Sequence, residues 1–275
     1  MWEKMMSIDR RIIYVLVFVI VAFGLLNPLG LPIPIGYHAQ LHYDVMEALP
    51  DGGVIVFDAA YSPGSDAELG PMVEASAHHA FRKDMRIIIF NMHWELGPEL
   101  AHQRVERVAE IYGKEYGTDW VNLGFQAGGA PPNLQAAVRS FAEARPTDWA
   151  GRPLADLALM DEADRLHPDY VDHVIVFSSG NPGTEDYLRY VGEPTGMTLS
   201  EGAIQMSIAN ALPFVDAGQY SSVIPGGRGG AEYELLLDEP GGAIATQDVL
   251  SLAALFVTLI LILGNVGYYM ARKEN

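Results

Sequence analysis

Seven polar residues stand at the ends of short apolar runs, where an α/β domain gathers its chemistry. They are Asp58 in "GVIVFDA", Asn91, His93 and Glu95 in "IIIFNMHWE", Ser178 and Ser179 in "VIVFSSG", and Arg228 in "IPGGRGGAEYE". An aspartate, a histidine and a serine are the parts of a hydrolytic triad, so Asp58, His93 and Ser179 could act together. A nucleophile elbow needs Gly-x-Ser-x-Gly, however, and Ser179 sits in "FSSGN". No catalytic residue is assigned, and an exported hydrolase stays in reserve.

Arg228 carries a different chemistry, the fixed fork that recognises carboxylate or phosphate. The loops "SPGSDAELG", "FQAGGAPPN", "SSGNPG" and "PGGRGG" could add backbone N–H groups beside helix starts. None matches the dinucleotide fingerprint or the Walker A pattern, so no cofactor is expected. The candidate ligand site is Asp58, His93, Ser179 and Arg228; tight turns alone would also account for the glycines. For Arg228, with Glu232 and Glu234 just behind it, a turn that fixes an interface or salt bridge is the first expectation and a small-anion site the second. Among the eight histidines, His38 and His42 share a helix face near Asp44, whereas His78 and His79 diverge. Zinc wants three or four convergent ligands, and "HAQLH" supplies two, so no metal is expected.

An alternation of strands and helices must position these residues. "GVIVFDA", "MRIIIFNMH", "DWVNLGF" and "VDHVIVFSSG" read as buried strands. Between them, "GPMVEASAHHAFRK" reads as a helix with Pro71 at its first position. "GPELAHQRVERVAEIYG" reads as one opened by Pro98 and ended by Gly113. Further helices are expected in "LQAAVRSFAEA", "PGTEDYLRYVG" and Ser207–Ala217. The pattern predicts an α/β fold with a Rossmann-like, mostly parallel sheet of five or six strands.

Both ends of the chain are apolar. From Ile12 it reads "IIYVLVFVIVAFGLL", then "NPLGLPIPIG", a proline-stiffened stalk; from Leu250, "LSLAALFVTLILILGNVGYYMA" runs without a charge. The expected plan is an N-terminal transmembrane anchor over 1–30, an acidic domain over 31–247, and a C-terminal transmembrane helix with a basic tail over 248–275. The first segment lacks a small-x-small cleavage site and is expected to be retained. Lys4, Arg10 and Arg11 precede it, and Arg272 and Lys273 follow the second span. The positive-inside rule therefore predicts a two-pass protein of the cell membrane, with termini cytoplasmic and the main domain extracytoplasmic. Within the second span Asn265, between Gly264 and Gly267, is expected to contact another helix.

Residues 31–247 hold 31 acidic and 12 basic side chains, a balance of −19, which disfavours nucleic acid as a partner. With no cysteine, the chain has neither disulfides nor thiol chemistry.

Three stretches carry a resemblance: "EYGTDWVNLGF", "RPTDWAGRPLADL" and "GGRGGAEYE", the last followed by a span containing "LGN". Together they resemble an uncharacterised family of prokaryotic two-span membrane proteins with an α/β domain between the spans. The resemblance covers nearly the whole chain and implies that architecture, but no activity. Here "FQAGG" stands where a lysine-proline pair would precede the glycines, so no anion-binding lysine is implied. The combined reading is a membrane-anchored assembly or scaffold component rather than an enzyme. Its expected partners are the lipid bilayer, copies of itself and other membrane proteins. A domain that binds or senses a small, possibly anionic ligand is the alternative.

Overall fold

The computed structural model describes residues 9–27, 29–180 and 183–274, without the side chains of 271–274. Lys4, Pro28 and the side chains of Arg272 and Lys273, which entered the expectations above, lie outside the described residues. The chain divides into two compact units, Pro34–Ala243 and the paired segments Met1–Ile33 and Ile244–Asn275.

The larger unit is built on six parallel strands: β1 (Val54–Ala60), β2 (Arg86–Asn91), β3 (Trp120–Phe125), β4 (His173–Ser178), β5 (Leu199–Ala203) and β6 (Ser222–Pro225). Their order, β3-β2-β1-β4-β5-β6, is the Rossmann-like arrangement, and it reverses direction between β1 and β4. All seven residues of β1 are buried because helices cover both faces of the sheet. The strand's period of two sends Val54, Val56 and Ala60 into one core and Ile55, Phe57 and Ala59 into the other. Asp58 shares the face of Val56 and Ala60.

Besides short helical turns at Phe141–Ala144, Ala158–Glu162 and Glu193–Thr195, the helices of this unit are α2 (Tyr37–Ala48), α3 (Asp66–Arg82), α4 (Gly97–Tyr112), α5 (Ala130–Arg139), α6 (Thr184–Tyr187), α7 (Ile208–Asp216) and α8 (Gly226–Leu237). Helix α4 starts beside Pro98 and stops at Gly113, which takes the left-handed conformation at φ 65°. Helix α3 departs from expectation: it begins at Asp66, with Pro71 inside it. Its first turn holds Asp66 and Glu68 at the positive end of the dipole, and Asp66 pairs with Arg104 at 2.6 Å. The segment "GGRGG" was expected as a turn but is the first part of α8. Tertiary packing overrides its poor propensity: a Cβ on Gly229 would collide with Pro225, and one on Gly230 would press on Met72 and Ala243.

Two of the quoted motifs meet at Asp148, which is fully buried. Its Oδ1 accepts from the Ala150 and Arg152 amides at 2.9 and 2.8 Å, and its Oδ2 from the Tyr116 hydroxyl at 3.0 Å and Arg152 Nε at 2.8 Å. A second buried polar chain runs across the sheet. His173 bonds Thr198 and Ser200 at 2.7 and 2.8 Å, Ser200 bonds Ser222 at 2.7 Å, and Ser222 bonds His42 of α2 at 2.9 Å.

The smaller unit holds α1 (Arg10–Leu26) and α9 (Gly242–Glu274), whose first two residues belong to the larger unit. Two spans were expected; among the described residues only α9 is long and apolar enough to cross a membrane. Helix α1 has 17 residues, about 26 Å at ~1.5 Å each, short of a ~30 Å hydrocarbon core. Within this unit Gly24 packs against Val249 and Leu252. The Asp248 carboxylate collects the amides of Leu29, Gly30 and Leu31 at 2.7, 2.8 and 2.9 Å.

The buried histidines set the acid response of the fold. Burial lowers the pKa of His173 to about 3, and burial, then His173 and His79, lower that of His42. A histidine depressed in the folded state stabilises it above the unfolded pKa and loses that contribution as pH falls toward the folded value. Below pH 6.5 the protein is therefore expected to lose up to ~1.4 kcal/mol per pH unit for each such histidine. In thermal denaturation between pH 7 and 4.5, His173→Gln should flatten this fall.

Candidate functional site

The carboxyl edge of the sheet, around the β1–β4 reversal, gathers the polar residues. Asp58 lies near the end of β1 with no exposed surface, so its carboxylate depends on partners. Asn91, the last residue of β2, donates its side-chain amide to Asp58 Oδ1. The Asn91 oxygen accepts the amides of His93 and Trp94 at 3.0 and 2.8 Å, a turn that swings His93 over the strand ends. The loop beyond must pass close to β1, and a Cβ on Gly97 would overlap the Ala59 carbonyl. That position accepts only glycine.

His93 bridges the reversal. Its Nδ1 is 3.6 Å from Asp58 Oδ2 and its Nε2 is 3.2 Å from Asp186 Oδ2, while its side chain is 2% exposed. Burial would lower the histidine's pKa, but Asp58, followed by Asp186, outweighs burial and raises it. Asp186 lies in α6, the one-turn helix after β4, which widens into a π-turn over Leu188–Gly192. Tyr187 in the same helix is completely buried; burial and then Asp58 raise the pKa of its phenol. The 3.6 Å separation is too long for a hydrogen bond, and Asp58 Oδ2, His93 Nδ1 and the Tyr187 hydroxyl each lack one of ordinary geometry.

Beside this bridge a small cleft opens over the ends of β4 and β5, with about 30 Å³ of space for water-sized groups. Ser178 and Glu201 line its strand side, Thr184 and Glu185 of α6 one wall, and Asn210 and Phe214 of α7 the other. Tyr220 stacks on Phe214 with ring centres 4.9 Å apart. Glu201 shares the inward face of β5 with Leu199 and Ala203, is 7% exposed, and has its pKa raised to about 7 by burial, opposed by Thr184 and reinforced by Glu185. Among the described residues, no lysine, arginine or histidine lines the cleft.

Of the four residues expected to form a ligand site, Asp58 and His93 come together. Ser179 does not join them, because its hydroxyl donates to the Ala60 carbonyl at 3.4 Å and Asp186 takes the second nitrogen of His93. The serine triad is therefore not formed. Arg228 is also elsewhere: β6 is three strands from β1, ~14 Å at ~4.8 Å per strand, and Arg228 Nε donates to Glu232 at 2.8 Å. Glu232 in turn accepts the Gly36 amide at 2.9 Å, so this arginine braces a salt bridge in α8. Ser178 turns back on its own loop, donating to the Gly180 carbonyl at 2.7 Å.

His42 is engaged by Ser222, away from any second ligand, and no cluster of three metal-binding side chains occurs among the described residues. In α9, Asn265 is exposed and donates to the Leu261 carbonyl of its own helix at 2.7 Å. No described residue lies within 4 Å of a Cβ built on Gly264, and Gly267 is buried. Among the described residues a close helix approach is seen at Gly24.

Sequence reasoning missed Asp186, Tyr187, Thr184 and Glu201. The signal for the first three was "TEDY" directly after the glycine loop of a strand, which also reads as ordinary helix-start chemistry.

A histidine whose folded pKa is raised stabilises the fold fully below its unfolded value, and that contribution is lost as pH rises through the folded value. His93→Gln is therefore expected to cost on the order of 1–3 kcal/mol at pH 5.5 and clearly less at pH 9. Thermal denaturation at the two pH values checks it. Comparison with protein-family models, with curated proteins and with solved structures returned no match.

Proposed function

We propose that this chain is a membrane-anchored binding domain that holds a small polar ligand at the carboxyl edge of its sheet. The observation that carries this reading is the cleft beside the β1–β4 reversal, where Glu201 and Thr184 are buried without a neighbouring base. Open parallel sheets place their ligands at this edge. The cleft, about 30 Å³, is far smaller than the usual ligand site and takes only a ligand of a few heavy atoms, and its acidic lining disfavours phosphates and nucleotides. Helix α9 supplies the anchor. In this reading α1 is a second span, completed by flanking residues or a locally thinned bilayer. The domain is then extracytoplasmic and both termini are cytoplasmic.

A second reading, assembly with copies of itself or other membrane proteins, is favoured by Asn265 lying exposed in an apolar helix beside Gly264. The chain lacks cysteine, so Gly264→Cys gives a clean cross-linking probe. Assembly through this face predicts an oxidised dimer in native membranes. A chain that stays monomeric under oxidation removes that reading.

Binding is tested by thermal-shift screening of a metabolite library against the full-length protein. A ligand at about 100 times its dissociation constant adds ~2.7 kcal/mol of stability, a shift of several degrees. Asn210 is exposed at the cleft wall, so Asn210→Trp should plug the cleft and remove the shift while leaving the core unchanged. A shift that survives this substitution would place the ligand elsewhere.

A further inference from the structure

The chemistry of the cleft narrows the class of ligand, an inference that rests on the binding reading above. Its lining contains two carboxylates, Glu201 and Glu185, and no basic side chain. The other polar groups, on Ser178, Thr184, Ser207 and Asn210, are neutral. An anionic ligand would add negative charge beside a carboxylate already withdrawn from water, whereas a cation supplies the missing counter-charge.

A second observation is independent of the acidic lining. Thr184 is 3% exposed, and its hydroxyl oxygen is buried without a hydrogen-bond partner while it lines the cleft. It lies close enough to Glu201 to favour the ionised carboxylate, though without a hydrogen bond of ordinary geometry. The oxygen has almost no surface open to the cleft as it stands, and a turn of the side chain toward the cleft would let it accept from a ligand's N–H or O–H. Opposite, the stacked Phe214 and Tyr220 rings provide an apolar wall suited to a short alkyl chain and to a cation near its face.

We infer that the cleft takes a small primary ammonium compound, its N–H groups donating to the Glu201 carboxylate and the Thr184 hydroxyl, its short carbon chain against Phe214 and Tyr220. A quaternary ammonium lacks the N–H groups this arrangement needs. Binding requires ionised Glu201. The titratable groups around it are Glu185 and Asp186 on α6 and Tyr220 before β6; the lining residues of β4 and α7 do not titrate. With Glu201 titrating near pH 7, affinity should be roughly tenfold or more greater at pH 8 than at pH 5.5.

The test is saturation-transfer NMR on the full-length protein in nanodiscs, with empty nanodiscs subtracted and ethylammonium, tetramethylammonium, acetate and 1-propanol as probes. Ethylammonium should receive saturation, more strongly at pH 8 than at pH 5.5, and lose it in Glu201→Gln and Thr184→Val. Circular dichroism confirms that both variants fold. Equal transfer to tetramethylammonium, or an ethylammonium signal that persists in Glu201→Gln, overturns the inference. If instead acetate or 1-propanol gives a signal that Asn210→Trp removes, the cleft binds ligands but the ammonium class is wrong. If the metabolite screen also finds no ligand, silence from all four probes overturns the binding reading as well as the inference.

Discussion

A carboxylate enclosed near the end of the central strand is the constraint around which the carboxyl edge is organised. Asp58 has no exposed surface, and a buried carboxylate without partners costs several kcal/mol. Its neighbours come from three elements: Asn91 from the end of β2, His93 from the loop beyond, and Tyr187 from the helix after β4. Each is delivered by a local device. Asn91 folds the turn that presents His93, Gly97 lets the next helix approach β1, and the short α6 places Asp186 on the second nitrogen of that histidine. The histidine thus joins the two halves of the sheet where their direction reverses. The cleft over β4 and β5 borrows one wall from the same α6, so the bridge and the cleft share a support.

The smaller unit uses a carboxylate in another way. Asp248 gathers three consecutive amides of the segment after α1, which satisfies donors that a proline-stiffened strand of chain could not pair internally. The same residue type that sets up a polar site in the larger unit acts here as a clasp between two chain segments.

Much of the scaffold was legible in the sequence because its strands are buried on both faces and read as unbroken apolar runs. Asp58 and His93 were legible for the same reason, as polar residues ending such runs. Their partners were not. Asp186 and Thr184 sit in a helix start whose acids have a local explanation, and only the sheet order brings that helix to β1. Glu201 interrupts "LSEGA" and reads as a solvated residue, although β5 turns it inward. Arg228, with Glu232 and Glu234 close behind it, reads first as fixing an interface or salt bridge and second as an anion contact; the salt bridge to Glu232 forms, but tight packing makes the segment a helix rather than a turn. The pairing of Tyr116 with Asp148 shows the same limit, since neither motif names the other.

The cleft over β4 and β5 is the proposed ligand site. The most direct measurement is an experimental structure of the full-length protein extracted from its native membrane without added small molecules. It should show ligand density between Glu201, Thr184 and the Phe214–Tyr220 wall, with His93 bridging Asp58 and Asp186. A cleft filled by the protein's own side chains or covered by a neighbouring chain would contradict it.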